Sequence, residues 1–467
     1  MSSYQPVPLG SRFATTLESF AQGQGRFDEA LPETQIQQVA DDLDVHFGNR
    51  PGNVFTPALT LWTFLTQVLS GSKTCVAAVA RTIALRMALG LMPCSAYTGA
   101  YCKARRKLPE PFLRGLTYTV GEAIEDRAPE HWRWHGRRVL LVDGFESTMA
   151  DTPENQREYP QPKSQQPGLG FPMIRAVVLL AFATACLVGA AFGPHKGKQT
   201  GETALFRQLF DRLRRGDVVV ADRYYCSYWM IALLMQQGVE VAFRLHQKRK
   251  YDFRRGRRLG SGDHIVEWTK PQRPTWMDAE LYASLPDTLT VREIRFRVDQ
   301  RGSRSEEIVV ATTLLDAEQY SKAEVADLYH QRWHAELDIR AIKQTLKMDY
   351  LSCKTPDMVR RELWVHLLGY NLVRKVMAES ACLKGLCPRQ LSFAGAVQTL
   401  EQFRWLLLFS ADASRQQVVL VVLQCVATHE VGNRPGRVEP RAVKRRPKPY
   451  PKLKKPRAEA RAELLQN

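Results

Sequence analysis

LLVDG at residues 140–144 and VVVADR at 218–223 are two short apolar runs, each leading into an aspartate. Four consecutive apolar residues, at 139–142 and 218–221, suit a strand buried on both faces. An acid that closes such a strand is held on a rigid element and points into the cleft beyond the sheet edge, where α/β layers place their sites. Taken singly, each aspartate is ambiguous, because aspartate also ends strands as a turn former. Around the two runs the pattern alternates. Helices are expected at 201–215 and 228–237, and strands at 239–245 and 308–314. That alternation predicts an α/β layer.

The run AVVLLAFATACLVGAAFG at 176–193 has no charge over eighteen residues, the lower limit for a membrane span. A buried strand–turn–strand pair with Thr184 near the turn gives the same pattern, and it is the expected form because nothing else in the chain resembles a membrane protein. With 44% hydrophobic and 24% charged residues, the 467-residue chain is a globular one of two to four structural units. Its net charge of +18 calls for an anionic partner, nucleic acid or an anionic membrane surface. Residues 434–457 hold eleven Lys/Arg and one Glu, a net +10, so the remainder still carries +8. The nine cysteines include no C-x-x-C, and the closest pair, Cys382 and Cys387, has four residues between them. Neither a zinc site nor a disulfide framework is indicated. With no leader pattern in Met1–Arg12, a reducing cytoplasm is the expected compartment.

A long helix is expected over 322–347, containing Tyr329, Arg332, Glu336 and Lys343. At about 100° per residue, the offsets of 3, 7 and 14 from Tyr329 fall within roughly 60° of one another. A solvated helix face is also polar. An acid between two cations, beside an aromatic hydroxyl, suits a cleft that holds both a metal and a phosphate. Glu336 would ligate the metal, while Arg332 and Lys343 would contact phosphates, the arginine with its two-pronged guanidinium.

The spacing Tyr329-(2)-Arg332-(3)-Glu336-(6)-Lys343 resembles the Y-R-E-K motif of DDE transposases of the insertion-sequence family numbered four. VDGFESTMADTPEN at 142–155 is similar to that family's segment around its first acid, GLGFP at 168–172 to the stretch before its strand hairpin, and ADRYYCSY at 221–228 to the segment around its second acid. The resemblance spans about residues 55–380. It implies an RNase H-like core in which Asp143, Asp222 and Glu336 hold two Mg2+ ions, with Mn2+ able to substitute. Such a pair of ions, about 3.5–4 Å apart, supports phosphodiester cleavage and strand joining. Magnesium takes hard oxygen ligands, so no His or Cys is required. The 114-residue gap from Asp222 to Glu336 agrees with the family's β-rich insertion. The family also implies a tryptophan there that stacks on a flipped base; Trp268 and Trp276 are the candidates, with no motif to choose between them.

The expected organisation is a polar segment at 1–50, a helical DNA-binding region at 51–130, the catalytic core at 131–380 with its insertion at about 246–305, a helical region at 381–430 and a disordered basic tail at 431–467. In the second of these, Leu59, Trp62, Phe64, Leu65, Val68 and Leu69 form a helical stripe. A helix from Ser72 to Leu89 and another with Lys103, Arg105, Arg106 and Lys107 follow, compatible with a helix-turn-helix reader or with a plain bundle that has a basic face. Expected DNA contacts are Tyr329, Arg332, Lys343 and Arg223, together with Lys248, Arg249, Arg254 and Arg255 of the insertion's basic loop. Double-stranded DNA, as terminal inverted repeats and target, is the expected partner. The expected assembly is a homodimer on DNA, in the cytoplasm with the nucleoid. A nuclease that cuts without joining and a catalytically dead DNA-binding regulator are the competing readings; strand-transfer and end-cleavage assays separate them.

Overall fold

The computed structural model describes residues 33–48, 53–88, 90–298, 306–409, 412–432 and 454–466. The chain opens with helices α1 (Glu33–Asp42), α2 (Pro57–Leu69), α3 (Cys75–Ala88), α4 (Gly99–Lys107) and α5 (Glu110–Asp126). Strands and short helices then alternate: β1 (Val139–Met149), α6 (Pro153–Glu158), β2 (Met173–Ala181), β3 (Leu187–Pro194), α7 (Glu202–Arg207), β4 (Val218–Ala221), α8 (Tyr228–Gln236) and β5 (Glu240–Arg244). Next come β6 (Arg257–Gly260), β7 (Asp263–Thr269), α9 (Ala279–Ser284), β8 (Thr288–Val298) and β9 (Glu306–Thr312). The remaining elements are α10 (Lys322–His330), α11 (Trp333–Arg340), β10 (Tyr350–Leu351), α12 (Pro356–Lys384), α13 (Phe393–Phe409), α14 (Asp412–Thr428) and α15 (Arg457–Gln466).

Two compact units result. One comprises Met1–Val139, Leu179–Ala190 and Glu336–Val431; the other comprises Leu140–Val178, Ala191–Ala335 and Gly432–Asn467. The helical unit is built on α12, which packs against α5, α14, α2 and α13. Its apolar side chains Leu363, Val365, Leu367, Leu368 and Met377 are fully buried. The eighteen-residue uncharged run forms the β2–β3 hairpin, and its tip belongs to this unit. The tip is seated by polar contacts: Thr184 donates to Glu125 Oε2 at 2.7 Å, and Asn371 bonds both the N–H and the carbonyl of Leu187 at 2.8 Å. A Cβ at Gly121 of α5 would stand 2.1 Å from the Leu187 carbonyl, so only glycine admits this approach. Among the described residues no helix is long and apolar enough to cross a membrane.

The second unit carries the α/β layer, a mixed sheet in the order β3-β2-β1-β4-β5-β9-β8-β7-β6. β4 and β5 pair in parallel, with Val218 opposite Glu240 and Ala221 opposite Phe243. From β5 onward every pairing is antiparallel. Strands β6 to β8 lie within the expected insertion, and they extend the main sheet through β9 rather than forming a layer of their own.

Three expectations change. β1 continues to Met149, so Asp143 lies within the strand instead of closing it. Its burial explains why: Val139–Val142 are buried on both faces, after which buried and half-buried residues alternate. The single helix expected at 322–347 is α10 and α11, followed by a π turn over Ala341–Thr345. Tight i to i+3 bonds, Arg332 N–H to Tyr329 C=O and Ala335 N–H to Arg332 C=O, separate the first two, so a constant 100° step does not hold across the motif. The basic tail, expected to be disordered, contains the helix α15; residues 433–453 of that tail lie outside the described residues, as do residues 1–32 of the polar N-terminal segment.

Candidate active site

Within the sheet unit, Asp143 sits mid-strand on β1, and Asp222 follows the last residue of β4. These strands are neighbours. Each carboxylate accepts the N–H of the next residue, Gly144 at 2.8 Å and Arg223 at 2.5 Å. Arg332, in the turn after α10, sets its Nη1 3.5 Å from Asp143 Oδ2. The Asp143 and Asp222 side chains are 20% and 32% exposed, open enough to take a ligand from solution.

The two aspartates share their surroundings. Tyr225 is buried, and burial pushes its phenol well up; the charges of Glu202, Asp143 and Asp222 push the same way. Tyr329 on α10 is buried as well. Burial takes its phenol to about 12, with Arg332 opposing and Asp222 adding to the rise. Asp143, Asp222, Arg332 and Tyr329 are thus brought together in one unit. Tyr329 is 5% exposed.

Glu202, at the start of α7, joins this group, and sequence reasoning missed it. Its carboxyl is raised by burial, with Arg175 and the Tyr225 hydroxyl opposing and Glu146 and Asp222 adding to the rise. The Tyr225 hydroxyl lies 3.4 Å from its Oε2. The available signal was Gly144: a Cβ there would stand 2.6 Å from Glu202 Cδ, so the glycine after Asp143 makes room for this acid. On β1, Glu146 also accepts from Arg175 at 2.9 Å and lies 2.5 Å from His195 Nδ1.

Glu336 and Lys343 belong to the helical unit, Glu336 on α11 and Lys343 in the π turn. Both are half-buried. Among the described residues no group of three or more His, Cys, Asp or Glu side chains is gathered closely enough to hold a metal ion.

The insertion's cations divide into two kinds. Lys248, Arg254 and Arg255 are exposed. Arg254 and Arg255 both pair with Asp252, and the hydrogen bonds from Arg254 hold the Asp252 carboxyl down at about 2. Arg249, expected as a DNA contact, is half-buried and lays its guanidinium 3.5 Å from the ring centre of Trp268, a cation–π contact. Trp268 is 4% exposed and donates its indole N–H to Glu293 at 3.0 Å, so it is a core residue. Trp276 is half-buried, with the Arg207 guanidinium 3.8 Å from its ring centre. Arg223 reaches Gln247 at 3.1 Å. On α4, Arg105 turns inward to Gln67 at 3.1 Å and over the Phe64 ring at 4.8 Å, which leaves Lys103, Arg106 and Lys107 exposed.

A pair of oxygen-donor side chains on adjacent strands of an α/β sheet, with an arginine at hand, suits divalent cations and phosphate chemistry. Comparison with known proteins agrees. The family described as "Transposase DDE domain" matches residues 134–372. The transposase InsG of insertion sequence element IS4, from Escherichia coli K12, is 30% identical over 361 residues, 75% of this chain and 77% of that protein. The putative transposase InsL of IS186A, also from Escherichia coli K12, is 32% identical over 72 residues, 15% of this chain and 20% of its own. A piggyBac transposase solved as a synaptic complex with hairpin DNA aligns over 91% of this chain and 86% of its own at 10% identity, with a TM-score of 0.41. The chain belongs to the IS4 family of DDE transposases, enzymes that cleave DNA and transfer strands.

Proposed function

We propose that this transposase excises its element from DNA and rejoins it elsewhere by a cut-and-paste route, on an RNase H-like core with Asp143, Asp222 and Glu336 as ligands of two Mg2+ ions. The observation that carries the reading is the placement of Asp143 and Asp222 on adjacent strands, with Arg332 3.5 Å from Asp143. The donor chemistry fits. Both groups are partly exposed carboxylates, and magnesium is commonly bound by one or two carboxylates, with waters and substrate phosphates completing its shell. Bound there, divalent ions would neutralise charge at the scissile phosphate and activate a water or a 3′-hydroxyl.

The protein's own groups supply position. Arg332 balances Asp143 and places a guanidinium where a phosphate would bind. Tyr225 and Tyr329, with phenols held protonated, keep a hydroxyl proton to donate at working pH. Lys343, Arg223, Lys248, Arg254 and Arg255 contact the DNA backbone, and the helical region at 51–130 binds the terminal repeats with Lys103, Arg106 and Lys107. Of the two tryptophans considered for base stacking, Trp276 is favoured, because it is half-buried, whereas Trp268 is 4% exposed with its edge bonded to Glu293. The working form is a homodimer on DNA, within the cytoplasm and the nucleoid.

The test is end cleavage by Asp143→Ala, Asp222→Ala and Glu336→Ala. Each should abolish cleavage and leave binding to terminal repeats intact. Full activity in any one removes that residue from the site.

A further inference from the structure

Glu336 stands on a short helix, and what holds that helix lies two residues further on. α11 has eight residues and runs directly into the π turn Ala341–Thr345, so its own backbone bonding gives it little rigidity. Asp338 is 2% exposed. At about 100° per residue it projects some 200° around the helix from Glu336. Its Oδ1 accepts from Arg374 Nη2 at 2.5 Å and its Oδ2 from Arg389 Nη1 at 2.8 Å. One carboxylate therefore joins two guanidinium groups from different parts of the helical unit.

Both arginines are fastened in turn. Arg374, on α12, donates from Nε to the Tyr370 hydroxyl at 2.9 Å, and that hydroxyl donates to the Ala185 carbonyl at 2.8 Å. Its guanidinium lies over the Tyr370 and Phe393 rings, 5.1 and 5.0 Å from their centres. Arg389 donates from Nε to the Phe182 carbonyl at 2.6 Å and from Nη2 to the Ala181 carbonyl at 2.9 Å. Asp338 is thus tied to α12 and to the tip of the β2–β3 hairpin through four side-chain bonds beyond its own two. A buried charge cluster of this kind is a poor way to gain stability, since an apolar packing would serve as well or better. Fixed bonds to two separate supports do set the rotation and height of a short helix.

We propose that Asp338 is the positioning residue of Glu336: gripped by Arg374 and Arg389, it sets the orientation in which α11 presents the Glu336 carboxylate. This rests on the reading of Glu336 as a metal ligand. Groups that orient a metal ligand typically contribute about 10–100-fold in metal affinity or activity.

The experiment uses the full chain bound to terminal-repeat DNA. Asp338→Asn keeps the side-chain shape and removes the charge. Arg389→Lys keeps the charge and removes the fork, and it decides the matter if Asp338→Asn fails to fold. Mn2+ affinity is read by calorimetry, end cleavage is read in Mg2+ and in Mn2+, and thermal melting reports the fold. The expected result is Mn2+ affinity and Mg2+-supported cleavage each lowered about tenfold or more, a raised ratio of Mn2+ to Mg2+ activity, and unchanged DNA-end affinity. Wild-type metal affinity in a folded variant overturns the proposal, and so does an equal fall of Mg2+ and Mn2+ activity, because a merely structural anchor would scale both alike. Glu336→Ala is run beside them. If it still cleaves, the metal-ligand reading has failed and takes this inference with it; if it is inactive while the two variants bind metal as wild type, the inference alone has failed.

Discussion

Arg292, on β8, has no surface in contact with solvent, and its donors are spent inside the sheet unit. Nε and Nη2 bind the two Asp263 oxygens at 2.9 and 2.6 Å, and Nη1 donates to the carbonyls of Tyr320 at 2.6 Å and Leu314 at 3.3 Å. It therefore ties β7 and β8 to the segment that leads into α10, whose N-cap, Ser321, follows Tyr320 directly. Arg292→Met keeps most of the length and removes the charge, leaving the Asp263 carboxylate, 4% exposed, without its arginine. Removing one partner of a buried pair costs about 3–5 kcal/mol. The two carbonyls that lose their donor keep the estimate toward the upper half of that range. In a chain of 467 residues a single unfolding transition is not expected, so the measurement must be local. Amide hydrogen exchange in β7 and β8 serves: about 4 kcal/mol corresponds to roughly a thousandfold faster exchange, since each 1.4 kcal/mol is a factor of ten. Asp263→Asn combined with Arg292→Met should recover part of the protection, because no buried charge is left over. Exchange within about tenfold of wild type in the single variant, or a double variant no better than either single, would refute the reasoning.

Three further outcomes are expected. Gly144→Ala should leave the fold intact, because the atom 2.6 Å from the new Cβ is the movable end of Glu202; displaced carboxylates beside Asp143 should lower single-turnover cleavage by about 10–100-fold, and an unchanged rate would show that the contact yields without disturbing Asp143. Buried His366 has its imidazole pushed down to about 4 by burial and by Lys73, against the opposing charge of Glu362. A lowered folded-state pKa means stability that is complete above the unfolded value near 6.5 and lost as pH falls toward 4, so His366→Asn should flatten the stability profile of the helical unit in that window, by up to about 3 kcal/mol; a profile as steep as wild type would assign the slope to another group. Removing residues 434–467 takes away eleven Lys/Arg between 434 and 457 and should make the salt dependence of non-specific DNA binding shallower, while an equal slope would mean that the tail does not touch DNA.

What could be read from the chain depended on how local the signal was. The paired aspartates, the alternation of strands and helices and the β2–β3 hairpin were legible, because each is written in a run of four or more uncharged, mostly apolar residues whose burial follows from composition. The length of β1 was not: beyond Asp143 the strand changes from burial on both faces to burial on one, and a polar residue then marks the half-exposed face instead of the strand's end. The break between α10 and α11 was hidden for another reason. Gln331 and Arg332 are ordinary helix formers, so no proline or glycine announces the tight turn that re-aims Arg332 toward Asp143. Long-range partners were least legible of all. Arg249 reads as one more cation in a basic loop until Trp268, nineteen residues away, takes its face, and Asp338 reads as an ordinary helical acid until Arg374 and Arg389 close on it. Charge counted along a sequence indicates that an anionic partner exists. Which cations are left to meet it is decided by aromatic rings and carboxylates that only the fold brings near. In this chain that selection leaves Lys248 exposed in the insertion, with Arg254 and Arg255 exposed but paired to Asp252 and Arg249 half-buried against Trp268, and commits Arg292 and Arg374 to the interior.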